Sequence, residues 1–325
     1  MQFKVLKTNE ISEKVWNELT IEFNDIFDRN NSPENLRTYY CSNAFGFSYH
    51  CLAFSSDDSI SGYTAIIPFY YTLMKERIII GVGGGSFVKK EYRKDIFILK
   101  DIWNCLRDYC LKEGVIAFLG ISNANSFKYS LEILNRTHLG DLKYFFLPVR
   151  PFNILKLKNL KWLNHIFMAF GYLYILTNLV FSFFLRFKEA SSSVKIELYN
   201  EFYKDRFYKE YKEVTSCQIR YFYKVLIEDG IKTAYLMDFR EKDNRSYPSL
   251  TKSLLNIIRS EEIDLVLYIG TLRMKQFAMF KLPGKKEPKH LPVVIDLLAV
   301  EDPSRYNILL DYNNWELSLM NFDMR

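Results

Sequence analysis

The stretch Ile78 to Asn125 constrains the chain more than any other. An apolar run, Ile78-Ile79-Ile80, meets a glycine cluster, Gly81, Gly83, Gly84 and Gly85. A strand-like piece, Ser86-Phe87-Val88, and a charged turn, Lys89 to Lys94, follow. From Asp95 onward Ile98, Ile102, Cys105, Leu106 and Tyr109 recur at three- and four-residue spacing, which predicts a helix closed by Gly114. Val115-Ile116-Ala117-Phe118-Leu119 then reads as a buried strand. A helix that starts just after a strand presents free backbone N–H groups and a positive dipole end, which suits an anion. Glycine inside a strand marks a bulge or a close backbone approach, so Gly83-Gly84-Gly85 is either room for a ligand beside the strand or a loop before it.

The chain before this stretch predicts a meander of strands feeding the helix. Phe3 to Leu6 alternates, Val15, Trp16, Leu19, Phe23 and Phe27 sit at helical spacing, and Ser32-Pro33-Glu34 opens a second helix. Phe45 to Phe54 and Ser61 to Met74 read as strands, the latter with Pro68 as a bulge or edge signal. Ser126 to Leu134 predicts a short helix and Leu142 to Val149 a strand. The second half repeats this outline, with strands at Ile219–Ile227, Lys232–Phe239 and Asp264–Gly270, a helix marked by Leu250, Leu254, Leu255 and Ile258, and a closing strand at Trp315–Asp323. The expected division is 1–152, a connector and linker at 153–193, and 194–325, within a length of 325 residues that suits one large or two ordinary domains.

Ile166 to Leu185 runs twenty residues without a charge, with Lys156, Lys158 and Lys161 before it and Arg186 and Lys188 after. Three readings are open: a helix buried between two lobes, a helix at a membrane surface, and a spanning helix. Spanning ranks last, because two lobes sharing one core must lie on the same side of a membrane.

Little side-chain chemistry announces itself. There is no G-x-S-x-G, no Walker loop and no H-E-x-x-H. The four histidines, His50, His138, His165 and His290, stand apart in sequence and show no metal-ligand spacing. Five cysteines without a C-x-x-C pair read as free thiols in a reducing compartment, and the mixed-charge N-terminus does not look like a signal peptide. The net charge of +6 is dispersed, which argues against a nucleic-acid partner.

Val88-Lys89-Lys90-Glu91-Tyr92-Arg93 matches, at Val88, Tyr92 and Arg93, the V-x-P-x-Y-R strand of the GNAT (GCN5-related N-acetyltransferase) superfamily. Asn123-Ala124-Asn125-Ser126-Phe127 resembles a motif of GNAT-like proteins from polysaccharide gene clusters. The resemblance covers about the first half, and the second half reads as a diverged lobe of the same kind. It implies an α/β fold of two GNAT-like lobes, each a mixed, largely antiparallel sheet flanked by helices. It also implies acetyl-CoA or another acyl-CoA as donor and no metal. The cofactor would lie on Phe87, Val88, Arg93, Lys94, Asp95, Ile96, Phe97, Ile98, Asn123 and Asn125, with Tyr129 as the acid for the leaving thiolate. The family's loop carries glycines; Arg93 to Ile98 has none, and Asp95 would set a negative charge beside a negative ligand. Asp95 also reads as an acid favoured by the helix dipole. The implied reaction is acyl transfer to an amino or hydroxyl group, of an amino sugar or a lipid-linked glycan intermediate, in the cytoplasm or at the inner face of the membrane. Alternatives are a non-catalytic, membrane-associated scaffold and a peptidoglycan-type aminoacyl transferase using aminoacyl-tRNA.

Overall fold

The computed structural model describes residues 1–184, 193–198, 211–216, 219–241, 244–298 and 303–322. Cys217, Arg186, Lys188 and the ends of the segments expected at 166–185 and 315–323 lie outside the described residues. Two compact units form. The first comprises the described residues of Met1–Asp141, Ser193–Arg206 and His290–Trp315; the second, those of Leu142–Ser192, Phe207–Lys289 and Glu316–Arg325. Both are discontinuous in sequence, which differs from the contiguous spans expected.

The first unit is a mixed sheet built from β1 (Gln2–Lys7), β2 (Tyr49–Phe54), β3 (Ile60–Leu73), β4 (Glu76–Val88), β5 (Val115–Ile121) and β6 (Thr137–Asp141). Its order is β1-β2-β3-β4-β5-β14-β6, where β14 is Pro292–Leu297 from late in the chain. Neighbours are antiparallel except β4 and β5, which are parallel. Every residue of β2 is buried, because helices cover both faces of the sheet. By the two-residue alternation of a strand, Tyr49, Cys51 and Ala53 pack with α3 (Ile98–Lys112) through Ile98, Ile102, Leu106 and Cys110. On the opposite face His50 meets Trp16 of α1 (Glu13–Phe27) and Tyr40 of α2 (Pro33–Cys41). Ser32 caps α2, accepting from the Asn35 N–H at 3.1 Å, and Pro33 occupies the first turn, as the sequence predicts. The exchanged strand β14 is anchored by Asp296, buried, which accepts from Trp103 Nε1 of α3 at 2.8 Å and faces Arg107 at 3.3 Å.

The second unit carries β7 (Lys143–Pro148), β9 (Lys212–Thr215), β10 (Arg220–Glu228), β11 (Ile231–Arg240), β12 (Leu265–Gly270) and β13 (Phe280–Lys281), in the order β13-β7-β12-β11-β10-β9; β8 (Val194–Ile196) lies on β3 in the first unit. Again one pair is parallel, β11 with β12, and a helix connects it. After α4 (Ala124–Glu132), α5 (Pro151–Ile154) and α6 (Leu163–Phe184), that connecting helix is α7 (Tyr247–Ser260), whose Leu250, Leu254, Ile257 and Ile258 enter the core with Tyr221, Leu236, Phe239 and Val266. Of the strand expected at Trp315–Asp323, Trp315–Glu316 forms a strand and Ser318 an isolated bridge, and Leu319–Asn321 turns into a short 3-10 helix.

His50 is fully buried between Thr8 Oγ1 (2.9 Å from Nε2) and the Tyr63 hydroxyl (2.8 Å from Nδ1). Burial lowers its pKa to about 3, so the folded state holds it neutral. The unfolded chain binds this proton near pH 6.5, so stability is full above that pH and falls as pH drops toward 3. The expected slope from this group is at most about 1.4 kcal/mol per pH unit. Urea midpoints measured from pH 7 to pH 4 should fall in the parent and fall less steeply in His50→Gln; parallel profiles would remove His50 as the cause.

Candidate active site

In the first unit the ladder between β4 and β5 ends at the pair Val82–Leu119, although β4 runs on to Val88 and β5 to Ile121. Beyond that rung the two strands present edges to each other without pairing. Gly83, the next residue, is exposed and has open space where a side chain would stand. Gly84 and Gly85 answer a different demand. A side chain on Gly84 would meet Ile67 at 2.9 Å and Tyr40 at 3.1 Å, and Gly85 has φ +111° with Phe23 3.0 Å from a Cβ. The cluster is therefore part of the strand, not a loop before it, and two of its glycines serve the packing of α1 and α2.

The residues expected to hold a cofactor surround this opening in different states. Phe87 is buried against Tyr63, with ring centroids 5.5 Å apart, and Val88 is half-buried at the strand end. Arg93, exposed, donates from Nε to the Val88 carbonyl at 2.8 Å. Lys94, Asp95, Ile96 and Phe97 are exposed, and Ile98 is buried as the first residue of α3. The Asp95 carboxylate accepts the Phe97 N–H at 2.9 Å, while Phe97 itself gives α3 no side-chain cap. Asn123 caps α4, accepting from the Ser126 N–H at 2.8 Å, while the Ser126 hydroxyl accepts the Asn123 N–H at 3.0 Å. Asn125 lies in the first turn of α4. Tyr129, one turn further on and half-buried, donates its hydroxyl to the Ile96 carbonyl at 2.6 Å, and burial raises its pKa. The hydroxyl thus links α4 to the segment before α3.

A cluster that the sequence left scattered lies in the same unit. His138 of β6 and His290, just before β14, both direct Nε2 to one oxygen of Asp141, at 3.1 and 2.9 Å. Phe127 of α4 stands edge-on to both rings, at 5.1 and 6.0 Å. Both imidazoles are exposed. Only the insertion of β14 beside β6 brings them together; the His138–Asp141 spacing on one strand was the signal available. Among the described residues no group of His, Cys, Asp and Glu is arranged to hold a metal ion.

The second unit repeats the divergence and fills it. The β11–β12 ladder ends at Leu236–Tyr268 while β11 runs to Arg240 and β12 to Gly270. Into this space comes the segment Glu316–Phe322. Thr271 N–H donates to the Leu317 carbonyl at 2.8 Å, Leu317 N–H to Thr271 Oγ1 at 2.9 Å, and Gly270 bridges Ser318. A side chain on Gly270 would stand 2.4 Å from the Leu317 oxygen. Glu316 completes a buried charge cluster: Arg240 and Arg245 donate from Nε to Asp238 at 2.6 and 2.7 Å, and Arg240 Nη2 lies 2.9 Å from Glu316. Desolvation pushes the Asp238 pKa up, and the two guanidinium groups outweigh it, holding the carboxyl well below the usual range.

No family model matches the sequence, and no curated protein does. Solved structures do match. A GCN5-related N-acetyltransferase from Anabaena variabilis ATCC 29413 superposes with a TM-score of 0.58 at 9% identity, over 92% of this chain and 74% of that one. One from Kribbella flavida gives 0.56 at 11%, over 91% and 72%. A conserved protein of unknown function from Enterococcus faecalis V583, called a probable N-acyltransferase, gives 0.56 at 12%, over 92% and 73%. The fold is that of the GCN5-related N-acetyltransferases. The strand, helix and strand that the sequence predicts between Ile78 and Leu119 are β4, α3 and β5, and β4 and β5 pair in parallel.

Asp238→Asn leaves two buried guanidinium groups sharing one carboxylate and should destabilise the protein by about 3–5 kcal/mol. Because the folded Asp238 pKa is depressed, that stabilisation is full above the ordinary carboxylate pKa and is lost as pH falls below it. Urea midpoints of parent and variant at pH 7 test this; equal midpoints would show that the cluster does not close the second unit.

Proposed function

We propose that the chain is an acyltransferase, moving an acyl group to an amino or hydroxyl acceptor where β4 and β5 part in the first unit. The supporting observation is the end of the parallel ladder at Val82–Leu119, with exposed Gly83 just beyond it. Backbone N–H groups on such an edge suit an acyl oxygen as it gains negative charge. The acceptor must lose a proton, and His290 or His138, each oriented by Asp141, is the exposed base suited to take it. Tyr129 is a positioning residue in this reading, since its hydroxyl serves the Ile96 carbonyl.

Coenzyme A, the donor the fold implies, does not fit the loop in the family's manner. The Phe97 N–H, which would face a pyrophosphate, is taken by the Asp95 carboxylate, and no glycine lets backbone approach. That observation favours the second reading, a non-catalytic scaffold. We also infer that the second unit is a diverged lobe of the same fold whose opening the chain's own Glu316–Phe322 occupies. An amino sugar or lipid-linked glycan as acceptor, in the cytoplasm, remains part of the proposal.

Calorimetric titration with acetyl-CoA separates the readings. Asp95→Ala frees the Phe97 amide and removes a like charge, so it should bind at least about tenfold more tightly than the parent, roughly 1.4 kcal/mol. Absence of binding in both proteins would establish the scaffold. Once an acceptor is in hand, Tyr129→Phe should weaken KM for the donor more than kcat. A fall of about 10²-fold or more in kcat alone would make Tyr129 the acid.

A further inference from the structure

Helix α6, Leu163–Phe184, is inside-out. Three of its polar side chains face the core of the second unit, while His165 and Thr177 are exposed: Asn164 accepts the Phe152 N–H at 3.1 Å and donates to Asn153 at 3.0 Å, Asn178 accepts from the Tyr247 hydroxyl, and Ser182 is buried. Ile175, with Met168 and Leu179, joins the same core. The other faces are uncovered and, His165 and Thr177 aside, dominated by apolar and aromatic side chains. Only 17% of the most apolar window is buried, and Phe170, Leu173, Phe181 and Phe184 are exposed by 65, 57, 55 and 81%. The reading of this helix as buried is therefore incorrect: the apolar residues encircle it, and one narrow face suffices for packing. A surface of this size on a soluble protein marks a docking site.

The neighbouring segment extends the patch. Tyr174 donates its hydroxyl to the Phe277 carbonyl and stacks on Phe280 at 6.3 Å, and both phenylalanines are exposed. Charge is one-sided around it. Residues 151–184 and 271–286 contain no Asp or Glu, while Lys156, Lys161, Lys275 and Lys281 are exposed. Exposed Trp162 follows Lys161 and immediately precedes the helix in the chain. Apolar side chains edged by lysine and aromatic rings fit the boundary between headgroups and acyl chains of an anionic bilayer. One face of α6 is packed along the second unit through Asn178, Ile175 and Leu179, an arrangement that suits a helix lying along a bilayer surface rather than one crossing it.

We propose that the outer faces of α6, with Phe277 and Phe280, form a membrane-docking surface whose partner is an anionic lipid bilayer. The proposal goes beyond acyl transfer and stands on different residues. Flotation of the full chain with vesicles of phosphatidylcholine alone, or with about one third phosphatidylglycerol, tests it. The parent should float with the anionic vesicles and progressively less as salt rises. Lys156→Gln, Lys161→Gln, Lys275→Gln and Lys281→Gln together should weaken binding by more than tenfold, from about fivefold per lysine near the surface. Phe170→Ser with Phe181→Ser should abolish flotation while leaving circular dichroism unchanged, since both side chains are exposed. Trp16, Trp103 and Trp315 are buried, so a vesicle-induced blue shift of the emission reports Trp162 entering the interface. Recovery of the parent in the soluble fraction with both vesicle types, equal binding to both, or a dimer that α6 variants dissolve without any lipid binding would overturn the proposal.

Discussion

The structure depends on one arrangement of backbone: two adjacent parallel strands that pair for a few rungs and then part. Residues past the last rung, Val82–Leu119 in the first unit and Leu236–Tyr268 in the second, carry N–H and C=O groups that must find another partner. In the second unit the partner is the chain itself, since Leu317 exchanges hydrogen bonds with Thr271 and Ser318 stands opposite Gly270 as its bridge partner. In the first unit the edge beside Gly83 is exposed. A parallel pair that parts thus leaves one opening filled by protein and one beside an exposed glycine.

The filled opening has a cost that the sequence meets with charge. Burying Asp238 and Glu316 is unfavourable unless each is paired; Arg240 and Arg245 both hydrogen-bond Asp238, and Arg240 pairs with Glu316 by proximity at 2.9 Å. Such a cluster gives little net stability over an apolar core, but removal of one partner is severe, which favours a single seating of Glu316–Phe322. The first unit has a smaller counterpart at Asp296, where Trp103 and Arg107 fix the exchanged strand β14 to α3.

Local pattern was sufficient for much of the fold. The spacing from Ile98 to Tyr109 and Gly114 located α3, Ser32-Pro33 opened α2, and the charge-free run at 166–185 located α6. What could not be read were contacts between residues far apart in sequence. Gly84 and Gly85 answer to Tyr40 and Phe23, neither of which any local pattern connects to them. The exchange of β7 and β14 between units breaks the assumption that neighbouring segments share a sheet, and with it went the His138–Asp141–His290 cluster. Tyr129 was picked out as an acid by position alone; its hydrogen bond to Ile96 is a property of where α4 docks. The uncovered faces of α6 were one of three readings open to the sequence, because hydropathy counts apolar residues without saying which way they point.

Hydrogen–deuterium exchange with and without acetyl-CoA tests the central claim, that the opening in the first unit is the one available to a donor. Peptides covering 83–88 should gain protection on ligand binding, while those covering 236–240 and 316–322 should be protected already and unchanged. Ligand-induced protection at 236–240 with none at 83–88 would place the site in the wrong unit for this account and contradict it.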